Sequence, residues 1–196
     1  ILTVKSNMII SFDIGIKNLA YCILYKNDKE EIIIEKWDII KVLEDDEKCK
    51  QVPLNEITTR LYNKLQEELE DNEITEVLLE NQPCLKNPVM KSIQMIIYGF
   101  FHYQKTLLGR EIENIKLINA SNKLKVGKNF NEINNQEHII KIKNKYNRNK
   151  KLAIEYTNKL LKDRVKKDYE ELYEFFNNNK KKDDLADAFL QGLYYI

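Results

Sequence analysis

The stretch MIISFDIGIKNLAYCILYKNDKEEIIIEKWDII (Met8 to Ile40) decides the fold, because it carries three apolar runs separated by short polar breaks. Residues 8–15 read as a buried strand ended by Gly15, residues 18–26 as a second strand and residues 31–40 as a third. Breaks this short, including Asn27-Asp28, leave room only for tight turns, so the three runs predict an antiparallel meander. Inside the first strand one residue is out of character. Asp13 follows Ile9, Ile10 and Phe12, and a carboxylate in apolar surroundings is costly unless a cation or several donors satisfy it.

Downstream, residues 41–53 are charged and end at Pro53, which reads as a loop. Ile57, Leu61, Leu65 and Leu69 recur every four residues and predict an amphipathic helix over 54–72. Residues 75–80 return to strand character, and Asn81-Gln82-Pro83 stops that strand directly after Glu80. A strand–helix–strand crossover implies parallel pairing with an earlier strand. Residues 88–108 are helical with two apolar stripes. One (Val89, Ile93, Ile96, Phe100, Leu107) can face the sheet; the other (Met90, Ile97, Phe101, Leu108) needs a cover, either another helix or a second subunit. Residues 112–119 fit a fifth strand. The Lys/Asn-rich segment 121–149 has little periodicity and reads as a loop or flexible insertion, a helix follows over 150–162, then a polar segment, and a helix over about 183–195 closes the chain. The expected fold is α/β, a mixed five-stranded sheet flanked by helices, forming a single domain over residues 1–196 with a basic insertion at about 121–149.

Composition agrees with a compact domain. The chain has 196 residues, 43% hydrophobic and 32% charged, enough to bury roughly 70% of the unfolded surface without a staple. Its three cysteines (Cys22, Cys49, Cys84) lack CxxC spacing, which argues against a disulfide framework or a zinc site. No run approaches the ~20 apolar residues of a membrane span. The net charge of +1 conceals a polarised chain: residues 116–167 hold 15 basic and 4 acidic side chains, whereas residues 1–115 hold 14 and 20. A basic stretch of that density can bind a polyanion by releasing counterions, although it also suits a solvated Lys/Asn-rich surface.

Four acids stand out as candidate chemistry. Asp13 and Glu80 each end a strand, where α/β proteins collect ligands. In KKKDDLADAF (Lys180 to Phe189), Asp184 and Asp187 lie three apart and share a helix face; Asp183 suits the helix cap or an additional ligand. Repulsion between such carboxylates is relieved by Mg²⁺ or Mn²⁺, and a pair of ions about 3.5–4 Å apart is a known device for phosphodiester hydrolysis. Only His102 and His138 are available for histidine chemistry, and no GxSxG, Walker A or HExxH motif is present.

At these residues the sequence resembles the RuvC-like Holliday-junction resolvases of the RNase H-like superfamily, in particular the fungal mitochondrial and the poxviral or giant-virus branches. The matching pieces are SFDIGIKNLAYC (Ser11 to Cys22), LLENQP (Leu78 to Pro83) and KKDDLADAF (Lys181 to Phe189), in the family's order and spread over nearly the whole chain. The resemblance implies an endonuclease that resolves four-way DNA junctions by paired symmetric nicks leaving 5′-phosphates, with two Mg²⁺ or Mn²⁺ ions per active site. It maps Asp13, Glu80, Asp184 and Asp187 as catalytic metal ligands, with Asp183 as a possible extra acid. It also implies a homodimer, for which the second stripe offers Met90, Ile97 and Phe101. No nucleotide cofactor or membrane partner is expected, and the compartment is intracellular, a viral cytoplasmic factory or a mitochondrion. Lys17 and Asn18 beside the first acid, and Lys123, Lys125, Lys128, Arg148, Lys150 and Lys151 in the basic stretch, are the expected DNA contacts. Tyr146, Phe130, Tyr98 and Phe101 are candidates to wedge or stack at the junction centre, with core packing the favoured role for Tyr98 and Phe101.

Three other functions compete. A related nuclease acting on RNA–DNA hybrids or structured nucleic acid would share the acids and differ in substrate. A non-catalytic junction-binding protein would share the fold. An actin-like or sugar-kinase-like ATPase also opens with an Asp-x-Gly strand, but needs glycine-rich phosphate loops that five scattered glycines do not supply.

Overall fold

A computed structural model describes residues 7–85 and 87–196; the first six residues of the expected domain lie outside the described residues. The meander is present: β1 (Ile9–Asp13), β2 (Asn18–Lys26) and β3 (Ile32–Lys41) pair antiparallel in sequence order. After α1 (Leu54–Leu69) the chain crosses over to β4 (Glu76–Glu80), which lies parallel to β1. After α2 (Pro88–Thr106) it crosses again to β5 (Asn114–Ile118), parallel to β4. The sheet order is β3-β2-β1-β4-β5, the mixed five-stranded arrangement expected.

Because side chains alternate along a strand, the sheet builds two cores. Leu19, Tyr21 and Ile23 of β2, with Ile10 and Phe12 of β1, meet α1 and α2 on one face. Ala20, Cys22 and Leu24 face the carboxy-terminal helices on the other. Two glycines set close approaches. A Cβ on Gly15 would stand 1.9 Å from the Asn18 carbonyl oxygen, so the turn between Asp13 and β2 closes only on glycine. A Cβ on Gly192 would meet Leu24 at 2.6 Å, which is how the last helix presses onto the sheet.

The structure departs from expectation in three places. The central positions of the two stripes form one wide buried face, with Ile93, Ile97, Phe100 and Phe101 all packing inward, Ile97 fully and Phe101 to within 2%, while Val89, Leu107 and Leu108 at the ends are exposed. At 100° per residue these positions cover only about a quarter to a third of the helix circumference, so a single sheet-facing side takes both stripes. Ile97 and Phe101 therefore cannot serve as a subunit interface, and Met90 packs partly buried against the same core. Second, residues 121–149 are ordered into a 3-10 run (Ala120–Gly127) and two one-turn helices, α3 (Asn131–Asn134) and α4 (Glu137–Ile140), before α5 (Lys145–Arg164). Asparagines cap these turns: Asn119, just before the segment, accepts from Ser121 N at 2.9 Å and Asn144 from Asn147 N at 3.1 Å. Ile133 and Ile139 are buried anchors. Third, the polar segment before the last helix contains α6 (Tyr169–Asn178), whose Phe176 is fully buried and stacks on Trp37 at 5.2 Å. The chain closes with α7 (Lys182–Tyr195).

Candidate active site

Parallel pairing of β1 and β4 brings two acids to one end of the sheet. Phe12 is in register with Leu79, so the next residues, Asp13 and Glu80, leave the strands side by side, and Asp13 hydrogen-bonds Glu80. Asp187 comes to the same point from the second turn of α7, which packs on β1 and β2. At their focus lies the ammonium of Lys123, carried by the 3-10 run after β5. Its Nζ is 3.5 Å from Asp13 Oδ1 and 3.3 Å from Glu80 Oε2, and it forms its shortest ion pair with Asp187. All four side chains are 14–21% exposed.

The electrostatics follow from crowding like charges in a partly dry pocket. Burial raises the Asp13 carboxyl well above the ordinary range, and its hydrogen bond to Glu80 raises it further. Burial also works against the charge of Glu80, but the bond from Asp13 and the field of Lys123 hold it below its usual value. The pair is thus pulled apart, Asp13 upward and Glu80 downward. Asp187 is pushed up to about 6, mainly by burial, with Lys123 opposing. The Lys123 ammonium would lose its proton more readily through burial, yet the three carboxylates more than offset this and raise it.

The adjacent acids of α7 separate. Asp183 forms an ion pair with Lys150 of α5. Asp184 lies near enough to feel Lys123, and burial followed by repulsion from Asp183 raises it. The structure therefore joins Asp13, Glu80 and Asp187 directly, sets Asp184 beside them and occupies Asp183 elsewhere. Among the described residues no three acids stand in a ready-made coordination shell. Their shared partner is instead an ammonium, and a carboxylate set already gathered on one cation has the hard oxygen donors that Mg²⁺ or Mn²⁺ takes.

Of the expected DNA contacts, Lys123 is part of the acid group rather than of the open surface. Lys17 is exposed and donates to the Asp45 carbonyl at 3.0 Å, while Asn18 opens β2 half-buried. Lys125 and Lys128 are exposed, with Lys125 over the Tyr194 ring. Arg148 and Lys150 lie on the first turns of α5, and Lys151 pairs with Glu155 at 2.9 Å.

Two positioning residues were not foreseen. Gln191, one turn after Asp187, is buried and donates from Nε2 to Ser11 Oγ (3.0 Å) and to the Phe12 carbonyl (3.2 Å), clamping α7 to the strand that carries Asp13. Gln94 of α2 is fully buried and accepts from Gln82 N at 2.8 Å, which fixes the loop after Glu80. Each is a polar side chain at an otherwise core-facing helix position, and that was the available signal. A cavity of about 250 Å³ between α1 and α2, floored by Leu65, Leu69 and Phe100, lies at the opposite end of the sheet, beside Ile74 and Ile112 where β4 and β5 begin.

Comparison with known proteins places this architecture. The yeast mitochondrial Holliday junction resolvase Ydc2 superposes with a TM-score of 0.66 at 19% identity, over 95% of this chain and 78% of its own. The fowlpox virus resolvase in complex with Holliday junction DNA gives 0.60 at 21% identity, over 96% and 95%. A T. thermophilus RuvC in complex with Holliday junction substrate gives 0.56 at 12% identity, over 95% and 91%, so the RuvC-type fold expected from the sequence is the one found. An uncharacterized protein, L451, of Acanthamoeba polyphaga mimivirus is 38% identical over 131 residues; the match takes 63% of this chain but spans only 29% of the mimivirus protein. Residues 7–116, which run from the start of β1 into β5 and include both Asp13 and Glu80, match the family model described as Poxvirus A22 protein, and the chain belongs to that family.

Proposed function

We propose that this protein is a metal-dependent, structure-selective endonuclease that resolves four-way DNA junctions by paired symmetric nicks. The observation that carries the reading is the convergence of Asp13, Glu80 and Asp187, from two strands and a helix, onto the single cation of Lys123. A fold whose matched structures carry the resolvase name supplies the substrate class. Asp13, Glu80, Asp187 and the neighbouring Asp184 would hold two Mg²⁺ or Mn²⁺ ions. Bound there, the ions would supply a nucleophilic water at neutral pH and charge stabilisation for the leaving oxygen.

The chain's own residues do the rest. Burial and the Lys123 contact keep the acids together while no substrate is present. With those carboxylates holding divalent ions, Lys123 would no longer be their counter-charge, and its ammonium would face a phosphate oxygen at the same place. Gln191 and Gln94 hold the acid-bearing elements in register. Lys125, Lys128 and Arg148 bind backbone phosphates without reading bases. Two nicks in opposing strands require two such sites at fixed separation, hence a homodimer. With Ile97 and Phe101 buried, its seam would use the outward side of α2, where Val89, Met95 and Tyr103 are exposed.

The test is a cleavage panel: a mobile four-way junction beside linear duplex and RNA–DNA hybrid, with Mg²⁺, Mn²⁺ or chelator. Junction cleavage in both metals and none in chelator is expected, with Asp13→Asn and Glu80→Gln reducing the rate by about a thousandfold or more while junction affinity stays within a few fold. Preferential cutting of the hybrid would favour the related RNase H-like activity. Junction binding with no cleavage under any metal would favour the non-catalytic reading.

A further inference from the structure

Four aromatic residues were candidates to meet the branch point, and the structure separates them. Phe101 is buried in the core under the sheet. Tyr98 stacks on His102 along α2 and packs against that same core. Phe130 stands edge-on to Tyr156 at 5.5 Å beneath Lys159. Tyr146, in the first turn of α5, is 65% exposed.

Tyr146 is exposed but not loose. The Nζ of Lys150, one turn along the same helix, lies 4.9 Å from the ring centroid, and that ammonium is ion-paired with Asp183. Asp183 is one turn before Asp187 on α7, so the ring is tied through two contacts to the helix that closes the acid group. The turn carrying it is capped by Asn144. Lys143, Lys145 and Arg148 flank it in the sequence, so the ring rises from a cationic surface. A fixed aromatic face surrounded by cations is the arrangement on which an unpaired nucleobase stacks while its phosphates are held alongside.

We propose that Tyr146 is the stacking platform for a nucleobase displaced at the branch point, one strand position or a few away from the phosphate in the acid site. The inference rests on the junction-binding part of the function proposed above and goes beyond it by naming the contact that selects a branched substrate. Duplex DNA offers a protein the edges of its bases, not their faces, whereas a branch point unstacks bases at low cost. The Asp183–Lys150 pair also acquires a purpose: it holds the ring in place instead of adding an acid to the metal site.

The experiment uses the 196-residue chain and four-way junctions carrying 2-aminopurine either at a branch nucleotide or six pairs away, and a linear duplex with the same label. Fluorescence is read in chelator, where no cutting occurs, and single-turnover cleavage is read separately in Mg²⁺. Wild-type and Tyr146→Phe should quench the branch label alone. Tyr146→Ala should lose that quenching and cleave about tenfold more slowly, with an unchanged melting temperature because the side chain is exposed. Quenching retained in Tyr146→Ala, or lost equally in Tyr146→Phe, overturns the stacking assignment, as does wild-type quenching of both label positions alike. Absence of cleavage with branch quenching intact would overturn the nuclease reading and keep the platform; absence of junction binding would overturn both.

Discussion

The two faces of the sheet are built from different materials. The face under α1 and α2 is closed by leucine, isoleucine and phenylalanine at helical spacing, with Gln94 and Gln104 the buried polar residues of α2. The face under α5, α6 and α7 is closed by an equally apolar layer around Trp37 and Phe189, yet its helices also carry Asp184, Asp187, Lys150 and Tyr146 along the rim. One face holds the sheet rigid. The other holds charged groups at that rigid edge, where burial without neutralisation would be destabilising. The family model covers the first face and both strand-borne acids but stops at residue 116, before any helix of the second.

Breaking the apolar face should have the largest effect. Ile97→Asp with Phe101→Asp buries two unpaired carboxylates against β1 and should abolish folding, read as loss of the cooperative thermal transition, because each change alone costs about 3 kcal/mol or more. A folded monomer from this variant would show that these residues cover a subunit interface after all. Loosening the joint between the faces comes next. Gln191→Leu leaves the Ser11 hydroxyl and the Phe12 carbonyl without their donor, so a loss of about 2 kcal/mol in denaturant unfolding is expected. A fall of about tenfold in single-turnover rate at unchanged junction affinity would mark it as a positioning residue; equal losses in rate and affinity would mark general destabilisation.

The smallest effect concerns pH. Asp187 is raised to about 6 in the folded protein, so the folded state holds its proton more tightly than the unfolded chain does. Its contribution to stability is therefore complete below the ordinary carboxylate value of about 3.8 and is lost as pH rises through about 6. In chelator, the melting temperature of wild-type should fall by a few degrees between about pH 4.5 and 7 relative to Asp187→Asn. Parallel curves for the two proteins would refute that sign.

Much of this was legible in the sequence where one local pattern coincides with one role. Asp13 was visible as a charge among Ile10, Phe12 and Ile14, and Glu80 as a charge after Leu78-Leu79, since a strand shows its faces by simple alternation. What escaped depends on neighbours remote in sequence. Lys123 is an ordinary member of a basic run until β5 delivers it to acids that lie 43, 64 and 110 positions away along the chain. The two stripes of α2 differ by about one residue's rotation, and only the breadth of the sheet beneath decides that the central positions of both are covered. Helix α6 escaped because its buried residue, Phe176, finds its partner in Trp37 across 139 positions of sequence.

Trp37 is the chain's single tryptophan, and its indole Nε1 donates to the carbonyl oxygen of Leu185 at 3.1 Å. Leu185 sits between Asp184 and Asp187. Ultraviolet emission from this protein consequently comes with a built-in gauge wired to the backbone of the acid-bearing helix, so any shift of that helix registers in the native chain's own light, with no dye attached.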